Sequence, residues 1–308
     1  MELDRTLLAE HASHTLDGVT ERAFVFEVEG ERCFGLLYRP QDDAVRSDLG
    51  WVVCHSYGLE VLNLRRSERG LARRLASLGH PVLAFHRRGY GDSSGALADS
   101  TLEWHLRDTR AAAERLAAET GTTRLGLIGG KFGGLIAGLA ARDGSAERLI
   151  LMNPPLTGAS YFRRMIKEMA LVQLSIRDEA SRRSTEDMLA ELERDGMVDV
   201  LGFPIYRGLY EPIKGEDLSA DAGAFSGHAL LFQISKRSGV GKETQAVADR
   251  LQANGATVRV EALREPPGTT FGGVAYVSTG DPMTREDVQA TVVDGIADAA
   301  AGWMRETA

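Results

Sequence analysis

Four short apolar runs constrain the fold more than anything else in this chain: WVVC at 51–54, PVLAF at 81–85, LGLIG at 125–129 and LILM at 149–152. Helix-length patterns separate them, at about 63–78, about 102–119 and 132–142. Strands that are apolar on both faces must be covered on both faces, which is the condition of a parallel sheet built from βαβ units. Right-handed crossovers then leave little topological freedom. Upstream, residues 23–40 alternate apolar and polar around Gly30, the pattern of an antiparallel hairpin. Downstream the alternation resumes with ALLFQI at 229–234, a helix at 242–254, VRVEAL at 258–263 and a last helix from about 284 to 305. The predicted class is α/β, a mostly parallel twisted sheet with helices on both faces.

Between these parts the alternation lapses. Residues 156–225 are charged, read as helical without a strand, and carry the aromatics Tyr161, Phe162, Phe203, Tyr206 and Tyr210. This predicts a helical cap inserted into a core made of residues 1–155 and 226–308. The Gly-rich stretch 265–281 reads as a loop.

Composition excludes several functions. The net charge is −8, whereas a phosphate-binding surface needs a basic face, so no nucleic-acid partner is expected. No run is apolar enough to span a membrane, and the acidic start MELDRTLLAE has no signal-peptide core, so no membrane partner and a cytoplasmic location are expected. Cys33 and Cys54 sit in strand-like runs at a spacing that suits neither a metal nor a redox pair, and read as buried free thiols. No metal and no cofactor are predicted. Gly239-Val-Gly-Lys-Glu-Thr244 is not a P-loop, because Lys236 replaces the first glycine and Glu243 the hydroxyl residue.

The chemistry concentrates at Leu127-Ile-Gly-Gly-Lys-Phe-Gly-Gly134, where an apolar strand turns sharply into a helix. Gly129, position 131 and Gly133 match the spacing Gly-x-Ser-x-Gly of a nucleophile elbow, whose glycines permit a strained, closely packed turn. His55-Ser-Tyr-Gly58 resembles an oxyanion loop, and Phe85-His-Arg-Arg-Gly-Tyr-Gly-Asp-Ser-Ser-Gly95 resembles the loop that follows the next strand, ahead of a helix bearing Trp104 and Asp108. With these motifs in this order, residues 23–305 resemble the α/β-hydrolase superfamily, in particular its serine-aminopeptidase-like and exosortase-associated branch. The resemblance implies an α/β-hydrolase fold, with oxyanion or substrate contacts from Ser56, Tyr57 and Phe132.

The same resemblance exposes departures. The elbow residue is Lys131, the acid positions read Asn153-Pro-Pro and Ser235-Lys-Arg-Ser238, and no histidine follows His228. Acyl transfer through serine needs nucleophile, base and orienting acid together, so serine-triad hydrolysis is not expected.

Three readings of Lys131 stay open. Its ammonium, with the free amides of a helix start, can anchor a carboxylate, phosphate or enolate, rimmed by His55, His86, Arg87 and Lys236. A desolvated lysine can instead serve as a base or Schiff-base nucleophile, with His55 and His86 as proton carriers. Or Lys131 pairs internally with a carboxylate, Glu265 being the one singled out, and the site is closed. Catalytic candidates are therefore Lys131, His55 and His86; contacts fall to Ser56, Tyr57, Phe132, Arg87, Tyr161 and Glu265. The expected partner is a small anionic or carbonyl-bearing metabolite, handled by electrostatic or lysine-assisted chemistry. The alternative is an inactive hydrolase relative serving as a binding or accessory subunit, as a homo-oligomer or beside a biosynthetic partner protein.

Overall fold

The computed structural model describes residues 12–42, 46–176, 182–265 and 285–307. Among the described residues three antiparallel strands come first: β1 (Ser13–Leu16), β2 (Val19–Val28) and β3 (Glu31–Pro40). The hairpin expected around Gly30 is present, but it starts at Val19, and β1 adds a further strand at the sheet edge. Then β4 (Leu49–Cys54), α1 (Leu59–Ser77), β5 (Val82–Phe85), α2 (Leu102–Thr120), β6 (Arg124–Gly130), α3 (Phe132–Ala140) and β7 (Arg148–Met152) follow the alternation read from sequence. After a long excursion come β10 (His228–Ser235), α7 (Lys242–Ala253), β11 (Thr257–Arg264) and α8 (Arg285–Glu306). The loop expected at 265–281 lies, apart from Glu265, outside the described residues, as does the expected helix start at 284.

The sheet order is β1-β2-β3-β5-β4-β6-β7-β10-β11, parallel from β5 to β11. Successive strand residues face opposite layers, as the two-residue period demands. In β7, Leu149 and Leu151 join one core with Leu116 of α2, Leu135 of α3 and Leu251 of α7. Ile150 and Met152 join the other, with Leu64 and Leu71 of α1 and Ile296 and Trp303 of α8. Each large aliphatic side chain buried this way contributes about 1.5–3 kcal/mol. Both cysteines are buried and free, and burial pushes each thiol up to about 12.

The excursion between β7 and β10 holds α4 (Gly158–Ile176), α5 (Thr185–Asp195), β8 (Met197–Val200), β9 (Phe203–Tyr206) and α6 (Arg207–Lys214). The expectation that 156–225 lacks strands is wrong. β8 and β9 pair antiparallel around Leu201 and Gly202, whose φ of 56° and 84° build a two-residue hairpin turn. Val198, Val200 and Ile205 alternate inward on this ribbon, a period of two hidden in a charged segment. Among the described residues no helix is long and apolar enough to cross a membrane, and no group of three His, Cys, Asp or Glu could hold a metal ion.

Candidate functional site

Lys131 forms the junction between β6 and α3, at φ 47° and ψ −115°. A non-glycine residue in that region is strained, so the surroundings must hold it there. They do so through backbone: Lys131 N–H donates to Met152 O at 2.8 Å, and Lys131 O accepts from Leu135 N–H at 3.0 Å. The flanking glycines are steric necessities. A Cβ on Gly129 would meet Gly133 O at 2.1 Å, and one on Gly133 would meet Cys54 O at 1.9 Å.

The Lys131 ammonium lies 3.2 Å from Glu60 Oε1, with the two side chains only 13% and 12% exposed. Glu60 stands in the first turn of α1, where the helix dipole favours a carboxylate. Its other oxygen accepts from Ser56 Oγ at 2.7 Å and from the Tyr161 hydroxyl at 2.8 Å. Burial, then the Glu60 charge, holds the Tyr161 phenol well above its usual range, so it remains a donor. The internal partner of Lys131 is thus Glu60, not Glu265. Glu265 is buried at the end of β11, pushed up by burial against the pull of Lys236 and Lys131. Glu168 of α4 is likewise pushed up by burial against the pull of Lys131. The recess beside the ammonium, lined by Glu60, Asn153, Tyr161, Arg164, Met165 and Glu168, encloses about 10 Å³. That is room for a single water at most.

Arg87, His55 and His86 do not join Lys131 in a cationic rim. Arg87 turns into the protein, buried between Tyr57 (5.3 Å) and Tyr90 (4.5 Å), and donates to Ser56 O at 3.1 Å. Tyr57 and Phe132 are buried within an aromatic cluster that includes Tyr161 and Phe162. The Tyr57 hydroxyl donates to Pro204 O at 2.7 Å and so ties the segment after β4 to β9.

His55 and His86 do meet, with ring centroids 6.0 Å apart, but beside a different recess. None of the residues lining it lines the recess of Lys131. His55 Nδ1 lies 2.5 Å from Glu68 Oε2. His86 Nδ1 accepts the Asp92 backbone N–H at 3.1 Å, so its proton sits on Nε2. Burial, then the nearby His55, lowers His86 to about 4, so the 3.2 Å approach of the Asp92 carboxylate is not an ion pair near neutrality. The loop carrying His86 is anchored by Arg88, which donates to buried Asp108 from its backbone (2.9 Å) and its Nε (2.7 Å), and lies over Trp104.

Sequence reading missed Glu60 and Glu68. Both lie on the face of α1 that buries Leu64 and Leu71, and a carboxylate on an amphipathic helix's apolar stripe was the available signal.

A strand, a strained elbow and a helix at the centre of this sheet order leave one architecture, and the solved structures agree. Est1E from Butyrivibrio proteoclasticus, solved with ferulic acid bound, matches with a TM-score of 0.58 at 15% identity, over 92% of this chain and 99% of that one. The fold is that of the α/β-hydrolases. An esterase from Pyrococcus furiosus matches with a TM-score of 0.56 at 15% identity, over 90% of each chain. Mouse alpha/beta hydrolase domain-containing protein 10 matches with a TM-score of 0.54 at 16% identity, over 91% of this chain and 99% of that one. The family model of the serine aminopeptidases, S33, matches residues 52–196. No curated protein matches the chain.

Proposed function

We propose that this protein is a non-hydrolytic relative of the α/β-hydrolases, in which the nucleophile of the elbow has given way to a structural ion pair and the working role is binding. The observation that carries this reading is the Lys131–Glu60 pair, closed by Ser56 and Tyr161 around a recess of about 10 Å³. An acyl-transfer site needs a nucleophile, a proton acceptor and space for a tetrahedral carbon. Here the elbow side chain is a cation already neutralised, the segment 156–225 supplies Tyr161, Met165 and Glu168 as a cap over it, and the chain offers no histidine after His228. Accessory service beside a small-molecule or protein partner follows from this reading.

The test is hydrolysis of p-nitrophenyl acetate and labelling by a fluorophosphonate probe, for the intact protein and for Lys131→Met. Equal, background-level rates and no labelling are expected. Turnover that disappears in Lys131→Met would overturn the reading.

A second reading keeps Lys131 as a reactive amine toward a carbonyl-bearing metabolite, and draws on its backbone, held in the strained elbow conformation. Borohydride trapping after incubation with small aldehydes and keto acids separates the two. A mass adduct on Lys131 supports the reactive amine; an unmodified Lys131 supports the closed pair.

A further inference from the structure

The recess beneath the C-terminal ends of β4 and β5 is built differently from the elbow. It measures about 180 Å³ and lies between α1 and strands β3 and β5. That is room for several waters or one small organic molecule. His55, His86, Glu68, Asp92, Tyr38 and Arg65 are among the residues that line it.

Its polar groups are incompletely used. The Glu68 side chain is 2% exposed, and while Oε2 faces His55, Oε1 has no hydrogen-bond partner. A buried carboxylate oxygen without a donor is costly and signals a missing partner. The Tyr38 hydroxyl, fully buried, has the Arg69 guanidinium beside it as a donor but no acceptor for its own proton. Burial pushes it up to about 12, so it is a donor seeking an acceptor. His86 Nε2 carries a proton because Nδ1 accepts from Asp92. Arg65, on the exposed side of α1, is close enough to His86 and Tyr90 to bear on both. Leu36, Val61 and Ala84 complete an apolar wall.

We infer that this recess is a binding site for a small 2-hydroxycarboxylate. The ligand hydroxyl donates to Glu68 Oε1 and accepts from the Tyr38 hydroxyl or His86 Nε2–H, while its carboxylate faces Arg65. A hydroxyl is the simplest group that both donates and accepts within one bond length, which the pairing of a bare carboxylate oxygen with bare donors requires. A simple carboxylate answers the cation but leaves Glu68 Oε1 unpaired, and a site with an unpaired buried polar group rejects such an analogue. The arginine supplies attraction without geometry; the hydroxyl supplies selection. The Glu68–His55 contact holds the carboxylate in place for this role.

Calorimetric titration with glycolate, L-lactate and L-malate, against acetate, propionate and succinate as their respective controls lacking the hydroxyl, tests the inference. Each hydroxy acid is expected to bind at least about tenfold tighter than its control, a difference of about 1.4 kcal/mol. Glu68→Gln should abolish that preference while keeping the carboxylate contact. Arg65→Ala, an exposed and structurally mild change, should weaken all the carboxylates together. Absence of heat at millimolar ligand with the intact protein, or a preference that survives in Glu68→Gln, overturns the inference and leaves a water-filled recess. If Glu68→Gln does not fold, the ratio of L-lactate to propionate affinity in Arg65→Ala still decides: an unchanged ratio supports the site, and a ratio of one overturns it. The binding isotherm reads this recess and the ester and labelling assays read the elbow, so the two readings fail in different measurements.

Discussion

The Lys131 ammonium and the Glu60 carboxylate lie 3.2 Å apart across the strand–helix turn that would present a nucleophile, and both side chains are nearly out of contact with solvent. A buried pair of this kind contributes little over an apolar substitute, but losing one partner strands the other.

That asymmetry makes a prediction. Lys131→Met should destabilise the protein by about 3 kcal/mol, because Glu60 stays buried with only Ser56 and Tyr161 as donors. Glu60→Gln should cost a similar amount. The double variant should return to within about 1 kcal/mol of the parent. Urea denaturation of all four proteins measures the cycle. Additive single effects would mean the two groups are solvated separately and the recess is open.

The glycines of the elbow supply a second prediction. Gly133→Ala places a methyl 1.9 Å from Cys54 O, a backbone atom of β4 that cannot swing aside. The cost should exceed about 3 kcal/mol, at the upper end of overpacking effects. Gly302→Ala is the control: it lies in α8 with nothing within 4 Å of the new methyl, and should stabilise by about 0.5–1 kcal/mol. Thermal melts of the two variants should therefore move in opposite directions.

The elbow was legible in sequence because its information is local. Gly129, Lys131 and Gly133 are set by one turn, and the flanking apolar runs by the period of buried strands. The partner of Lys131 was not legible, because Glu265 and Glu60 reach the elbow from opposite ends of the chain and no spacing ranks one over the other. The geometry does: Glu60 begins a helix that points its first turn at the elbow, and Ser56 four residues earlier closes on the same carboxylate. The burial of Arg87 and Tyr57 was not legible for a related reason. Residues in loops at the sheet's C-terminal edge look exposed in sequence, whereas the hairpin of β8 and β9, unrecognised among charges, covers Tyr57 through Pro204. His55 and His86 follow the ends of β4 and β5, but which recess they line depends on Glu68, a charge on a helix stripe that reads as apolar.

Asn153 carries a third prediction. It follows β7 at φ 46°, its Nδ2 donates to Ile234 O at 2.8 Å, and its Oδ1 accepts from Ile234 N–H at 2.6 Å. The side chain thus extends the β7–β10 ladder by one rung. Asn153→Ala loses both bonds and forces an alanine into the left-handed region, for about 3 kcal/mol in all. Asn153→Gly loses the bonds but not the backbone freedom, and should cost about 1 kcal/mol less. Denaturant titration that ranks glycine as the worse substitute would show that left-handed backbone strain does not govern this position.

Acid sensitivity follows from His86. Burial, then His55, Arg65 and Arg87, lowers it to about 4 against the opposing pull of Asp92, while the unfolded chain titrates near 6.5. Between those values the unfolded state takes up a proton that the folded state refuses. The contribution of His86 is therefore fully present above pH 6.5 and drains away as pH falls toward 4, by about 3 kcal/mol at most. His80, His105 and His228 are lowered mainly by burial and add losses of the same sign. Replacing His86 with glutamine keeps a polar group of similar reach but removes the titration, so the variant should trail the parent at pH 7.5 and close the gap by pH 4.5. Urea midpoints across that range decide the matter: parallel curves for the two proteins would mean that His86 takes up its proton in the folded state at the same pH as in the unfolded chain, and that the recess it shares with His55 is wetter and more open than its geometry indicates.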